Sequence, residues 1–381
     1  MAGISFELAA PGRIVFGAGV SAQAGPTLGA LGAKRVLLVT GRSAQRSDGF
    51  RADLKLPTLT YAIPGEPTLG IVDGGRAMAV SEKCDAVVAF GGGSAIDAGK
   101  AIAALAGNPG DLLDYMEVVG KAQPLPRPGL PCIAIPTTAG TGAEVTKNSV
   151  LASPEAKVKA SLRSPYLLPI LALIDPDLLD GMPKGILAPT GLDALSHLLE
   201  SFVSIRANVF TLALAKEGMR RTARSLRPGF ERGLTAEHRE DLAVASLFGG
   251  LCLANSGLGA VHGFAAPLGG MWKAPHGAVC AALLPAVMRA NIAALRERSP
   301  QSPVLARYGE LNDLLAAGGD AVAWTAGLTA ALGIPKLSAF GVQPNDVPLL
   351  VAKAKVASSM RGNPIVLTDD ELTTIVHESL A

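Results

Sequence analysis

Four short runs set what this chain can fold into: Arg35–Thr40, Asp85–Phe90, Cys132–Ile135 and Leu171–Ile174. Each is apolar through its interior rather than alternating, and turn residues bound it. A strand with one wet face alternates. A continuous run fits burial on both faces, as in a parallel sheet covered by helices. Helix-like patterns over Thr68–Lys83 and Ser94–Ala106 separate the runs, giving a β-α-β rhythm and an open α/β sheet. The rhythm stops after Pro176. Beyond it, Gly185–Ser204, Phe210–Leu226, Thr235–Ala254, Pro275–Glu297, Asp320–Leu332 and Asn345–Ala357 read as helices of ordinary length. The expectation is an α/β domain over residues 1–178 and an all-α domain over 179–381. The boundary falls in the Pro-containing turn region Asp175–Pro183.

Composition removes several classes. With 49% hydrophobic residues and a net charge of +2, the 381-residue chain is not disordered. Its 44 glycines have no three-residue period, so it is not collagen-like. Four cysteines without a CxxC pair make neither a disulfide framework nor a zinc ribbon. Near-neutral charge argues against a nucleic-acid footprint. The N-terminus lacks the basic flank and apolar run of a secretory signal. Leu242–Trp272 has no charged residue and is long enough to span a membrane. It also holds seven glycines, Asn255, Ser256 and His262, so it reads as buried core interrupted by turns. A cytoplasmic protein with no membrane or nucleic-acid partner is expected.

Two glycine-containing loops follow strands. Phe90-Gly-Gly-Gly-Ser-Ala-Ile-Asp-Ala-Gly-Lys-Ala101 leaves one strand and opens a helix. Glycines there let backbone approach a phosphate, and the helix N-terminus offers free N–H groups and a positive dipole end. The loop reads as a pyrophosphate cradle or as a plain strand-to-helix turn. Ile96 breaks the dinucleotide fingerprint counted from Gly91. Five residues between Gly93 and Gly99, with Ala101 where Ser/Thr would hold Mg²⁺, break the Walker pattern. A phosphate-transferring ATPase or kinase is therefore disfavoured, and a dinucleotide whose phosphates do not react is favoured. Pro136-Thr-Thr-Ala-Gly-Thr-Gly-Ala-Glu-Val-Thr146 stands where open α/β sheets bind ligands, or it is a Thr-rich helix cap.

Asp193 and His197 are four apart in a helical pattern, so they share one face, which is otherwise Leu and Ala. A buried Asp and His need partners. A divalent cation would satisfy both, and their oxygen and imidazole donors suit Fe²⁺ or Zn²⁺. An internal Asp–His hydrogen bond is the alternative. His262 and His276 lie in apolar sequence punctuated by Gly and Pro, where backbone and a ligand can come close. Each alone can equally be a core histidine. His238 and His377 read as solvated.

Four motifs in order, GGGSAIDAGK, IPTTAGTGAEVT, PTGLDALSHLLESF and VHGFAAPLGGMWKAPHG, resemble the iron-containing (group III) alcohol dehydrogenases, relatives of maleylacetate reductase, lactaldehyde reductase and glycerol dehydrogenase. The likeness runs from Arg13–Gly17 to Gly362–Pro364, nearly the whole chain. It implies a Rossmann-like dinucleotide-binding domain and a helical metal-binding, catalytic domain in a dehydroquinate synthase-like architecture, with the active site in the cleft between them. It implies Asp193, His197, His262 and His276 as ligands of Fe²⁺ or Zn²⁺. It further implies NAD(P) contacts from Gly41, Gly91, Gly92, Gly93, Ser94, Asp97, Thr137, Thr138, Thr141 and Lys159. Catalytic roles go to Lys159 and His262. A homodimer acting on an alcohol, aldehyde or keto acid is expected.

Two positions depart from the family pattern. Ala266 stands where members often carry a second histidine assigned to proton relay, which argues against a standard maleylacetate reductase. Gly41, followed by Arg42, replaces the aspartate common in NAD-preferring members. A missing ribose-gripping carboxylate beside an arginine leaves room for a 2′-phosphate, so NAD and NADP both stay open. The expected activity is metal-dependent hydride transfer between an alcohol and its aldehyde or ketone. A maleylacetate reductase-like enzyme, a dehydroquinate synthase-like non-redox enzyme and a catalytically silent dinucleotide-binding relative are the alternatives.

Overall fold

The computed structural model describes residues 5–272 and 274–380. Ala9–Asp180 forms one compact unit, and the chain from Gly181 onward, joined by residues 5–8, forms another. The first unit is built on a sheet of six strands in the order β1-β8-β5-β4-β2-β3, with every neighbouring pair parallel. The strands are β1 (Ile14–Phe16), β2 (Val36–Thr40), β3 (Thr58–Ala62), β4 (Ala86–Gly91), β5 (Cys132–Pro136) and β8 (Leu171–Ile174). Helices α1 (Ala24–Ala30), α2 (Asp48–Asp53), α3 (Leu69–Ser81), α4 (Gly93–Ala106) and α5 (Leu112–Tyr115) belong to the same unit.

The continuous apolar runs have the expected cause. Leu37, Val39, Val87, Ala89 and Ala134 point into one core cluster with α4 residues such as Ile102 and Leu105. Val36, Leu38, Val88, Phe90, Ile133 and Ile135 point into the other, with Leu28 of α1. Each buried aliphatic side chain contributes roughly 1.5–3 kcal/mol, so both faces hold the sheet. The chain leaves β2 for β3 on one side, then returns to lay β4 against the other. That reversal puts the carboxyl ends of β2 and β4 beside a topological switch point, where such sheets bind ligands.

Four strands escaped the strand signal used above, among them the three-residue edge strand β1. The Thr58–Ala62 edge strand alternates polar and apolar and is half-buried. An antiparallel hairpin, β6 (Asn148–Ser153) and β7 (Val158–Arg163), forms a separate two-stranded sheet. Its polar alternation hides it from a search for apolar runs.

The second unit holds α6 (Lys184–Val203), α7 (Val209–Arg232), α8 (Ala236–Ser256), α9 (Ala260–Met271), α10 (His276–Arg298), α11 (Pro303–Ala316), α12 (Ala321–Ala331), α13 (Val347–Val356) and α14 (Asp369–Leu380). The charge-free stretch Leu242–Trp272 resolves into the end of α8 and α9, bent by 100° at Gly257–Gly259. Helix α9 is therefore longer and more regular than its Gly and Pro content suggests. Helix α10 is long and apolar enough to cross a membrane, but 78% of its most apolar window is buried within the unit. It is built as a core helix. Thr235 caps α8, its Oγ1 accepting from the backbone N–H of His238, and His377 is exposed.

Candidate functional site

The first site is at the carboxyl ends of β2, β4 and β5. Gly91 ends β4 with φ +155°, a conformation that L side chains rarely adopt. A Cβ there would stand 2.8 Å from Ala95 Cβ and 3.2 Å from Gly41 N. One on Gly93 would stand 2.6 Å from Thr141 Cγ2, and one on Gly92 3.3 Å from Thr138. Thr137 N donates to Gly91 O at 2.9 Å. The glycines are thus needed first by packing, because they let the Thr137–Thr141 loop close against the start of α4. Gly41, Gly91–Ser94 and Thr137–Thr141 come together as one floor of backbone and hydroxyl groups. It is a fit for a pyrophosphate at a helix N-terminus.

A fully buried lysine pins this floor. Lys100 Nζ, on the second turn of α4, donates to Ala143 O at 2.7 Å, Thr146 Oγ1 at 3.0 Å and Asn148 O, and pairs with Asp97 Oδ1 at 3.2 Å. Asp97 also accepts from Val150 N at 3.0 Å. Its carboxylate is thus engaged with Lys100 and the hairpin strand β6. Burial raises its pKa, against the pull of Lys100. Glu144 lies in the same loop, and burial pushes its carboxyl up to about 7. Lys159 Nζ pairs with the Glu66 carboxylate. Arg42 Nε donates to Pro64 O at 2.7 Å. A Cβ on Gly41 would meet no atom within 4 Å, so the end of β2 is open.

The second site is in the helical unit. Helix α6 supplies Asp193 and His197, α9 supplies His262, and α10 begins with His276. Close approach of these helices depends on glycine. A Cβ on Gly277 would stand 2.2 Å from Pro189 O and 3.3 Å from Asp193 Cβ. The expected cluster is assembled: His262, His276 and His197 bring their Nε2 atoms to 3.5, 3.7 and 4.0 Å from Asp193 Oδ1. The His197 and His262 rings stack with centroids 4.6 Å apart. The alternative of an internal Asp193–His197 hydrogen bond is not made, because 4.0 Å is too long. Asp193 is 2% exposed, and its Oδ1 has no hydrogen-bond partner. A buried carboxylate oxygen that makes no hydrogen bond and faces three imidazole nitrogens is a donor arrangement that a divalent cation would satisfy. The residues fit a divalent metal held by oxygen and imidazole.

The charges agree. Burial alone would raise the Asp193 carboxyl, but the imidazoles of His197, His276 and His262 outweigh it and hold it below the usual carboxylate range. Burial alone would lower the His262 pKa, but Cys280, Glu200 and Asp193 hold it well above its ordinary value. The pocket favours positive charge at its centre. His276 is the ligand candidate nearest solvent, with its side chain 38% exposed against 3–5% for the other three.

Two residues at this site were not singled out in the sequence. Glu200 Oε2 accepts from His262 Nδ1 at 2.5 Å, and Oε1 accepts from Val261 N at 2.7 Å. One carboxylate thus caps the start of α9 and fixes the His262 tautomer, leaving Nε2 to face Asp193. Its spacing of three from His197, on the same helical face, was the signal available. Cys280 is the other, four residues after His276. Ala266, one turn after His262, brings no ionisable group.

Comparison with known proteins follows the same layout. The family described as iron-containing alcohol dehydrogenase matches residues 11–176, and the C-terminal part of the Fe-containing alcohol dehydrogenase family matches residues 187–380. The 1,3-propanediol dehydrogenase of Klebsiella pneumoniae is 35% identical, covering 98% of each chain. The NAD-dependent methanol dehydrogenase of Bacillus methanolicus is 32% identical, covering 97% of this chain and 98% of its own. A crystal structure of 1,3-propanediol oxidoreductase superposes with a TM-score of 0.88 at 33% identity, over 98% of this chain and all of that one.

Proposed function

We propose, from the premise that this chain belongs to the iron-containing alcohol dehydrogenase family and is an alcohol oxidoreductase, that it interconverts an alcohol and its aldehyde or ketone. Asp193, His197, His262 and His276 would hold Fe²⁺ or Zn²⁺, and a bound NAD(P) would supply the hydride chemistry. The unpartnered Asp193 Oδ1 among three imidazoles carries this reading. Bound there, a divalent metal supplies Lewis acidity that stabilises negative charge on a substrate oxygen.

The chain's own residues do the rest. Glu200 keeps the proton of His262 on Nδ1, so Nε2 is free to donate its lone pair. The Gly91–Ser94 backbone and the hydroxyls of Thr137, Thr138 and Thr141 receive the dinucleotide phosphates. Lys159, steadied by Glu66, supplies a cation on the cofactor side. Ala266, in place of a relay histidine, offers no side chain to take the alcohol proton, so no protein base is assigned at that position. The unit Ala9–Asp180 is the dinucleotide-binding domain, and the helical unit is the catalytic one. The protein works as a cytoplasmic homodimer.

Gly41 leaves the ribose end of the cradle without a carboxylate, so NADPH is accepted beside NADH. A Cβ at position 41 would meet no atom within 4 Å, so Gly41→Asp should fold normally. It should favour NADH over NADPH by about tenfold or more, the worth of one charge-assisted hydrogen bond. An unchanged cofactor ratio contradicts the NADP assignment. The activity itself is tested with metal-loaded protein and NADH or NADPH, across aldehydes, ketones and keto acids. Turnover of at least one aldehyde is expected, and none with any of them rejects the reading.

A further inference from the structure

Cys280 follows His276 by four residues on α10 and so shares its face. It is fully buried. Its Sγ lies 3.6 Å from His262 Nε2 and 3.8 Å from His276 Nε2. Those two nitrogens stand 3.5 and 3.7 Å from Asp193 Oδ1, the buried oxygen without a partner. The four donor atoms all lie within 4.8 Å of one another. A tetrahedral cation with bonds of about 2.3 Å to sulfur and about 2.1 Å to nitrogen or oxygen spaces its ligands about 3.6 Å (N to S) and about 3.4 Å (N to O). The Cys280 separations fit that spacing, while His197, at 4.0 Å from Asp193 Oδ1, is the looser member.

We propose that Cys280 Sγ is itself a metal donor with Asp193, His262 and His276, taking the fourth tetrahedral position that the reading above gives to the more distant His197. This rests on the metal-centre reading above. As the metal–sulfur bond forms, the thiol proton leaves to solvent and no electrons change hands. One thiolate and one carboxylate then cancel the charge of a dication, which lowers the cost of burying it. The soft sulfur also shifts the site's preference toward Zn²⁺ and away from Fe²⁺. The other cysteines have no such surroundings: Cys252, for example, donates to Thr211 O at 3.4 Å.

The test is X-ray absorption at the zinc edge on zinc-loaded full-length protein. The wild type should show a sulfur shell near 2.3 Å, lost in Cys280→Ala and kept in Cys252→Ala. Zinc bound to the wild type by nitrogen and oxygen alone overturns the proposal and leaves the metal centre standing. So does a sulfur shell that survives Cys280→Ala. Zinc that fails to bind the wild type, or binds fully to Asp193→Asn, overturns the metal centre and the proposal with it. If Cys280→Ala does not fold, the wild-type spectrum decides alone.

Discussion

Lys100 in the α/β unit and Asp193 in the helical unit are both charged groups with almost no exposure, 1% and 2%. They differ in what surrounds them. Lys100 has carbonyls, a hydroxyl and a carboxylate within reach, and its network is complete. Asp193 faces imidazoles at 3.5–4.0 Å, and one of its oxygens bonds to nothing. A completed buried network serves the fold, because it needs nothing from outside. An incomplete one costs stability until a ligand closes it, and so it marks a binding centre. The contrast separates two residues that sequence treats alike, since both lie in motifs and both carry charge.

If the contrast is right, the two sites fail in different ways. The largest effect belongs to metal removal. A chelator should lower turnover by about 10³-fold or more, several kcal/mol of lost charge stabilisation. NADH binding, followed by fluorescence, should persist, because its cradle is complete without the metal. Loss of both together would break the distinction. Next, Lys100→Met strands Asp97 in a buried site. It should cost about 3–5 kcal/mol in urea unfolding with metal content per folded molecule unchanged. Equal stability of variant and wild type would show that the lysine is not the pin.

Glu200→Gln is a finer probe. It should weaken metal affinity about 10–100-fold, measured by competition with a coloured chelator, with the fold intact by circular dichroism. Unchanged affinity would remove Glu200 from its orienting role. The smallest effect is a pH dependence in the cradle. Burial raises Glu144 from its ordinary 4.5 to about 7, with Lys100 and Asp97 as its charged neighbours. The folded state therefore binds this proton more tightly than the unfolded chain. Its stabilising contribution is complete below about 4.5 and is lost as pH rises through about 7. Glu144→Gln should be more stable than wild type by about 1–3 kcal/mol at pH 8 and equal to it near pH 4. Parallel curves at all pH values would contradict the assignment.

The fold was legible where burial was symmetric. Strands β2, β4, β5 and β8 are apolar on both faces, and they stood out for that reason. The edge strand β3 and the β6–β7 hairpin alternate, so only their partners define them. Helix α9 was hidden because its glycines look like turns. In the structure they serve close packing: a Cβ on Gly263 would stand 2.8 Å from Met360 Cε. Of the site, the Asp193–His197 spacing gave a shared face, and the motif resemblance brought in His262 and His276 from other helices. Glu200 and Cys280 were on the page but unremarkable, since a glutamate and a cysteine in apolar helices have many uses. Only the packing of α6, α9 and α10 puts them against the imidazoles. Asp97 and Lys159 stood among the expected cofactor contacts, and each is held by a partner inside its own unit that spacing does not disclose.

The central claim is that Asp193 and the surrounding imidazoles form one metal centre. The most direct measurement is the metal content of purified protein after anaerobic loading with Fe²⁺ or Zn²⁺, wild type beside His262→Ala. The account predicts one metal per chain in the wild type and background in the variant, with turnover lost in step. Full metal content and full activity in His262→Ala would contradict it.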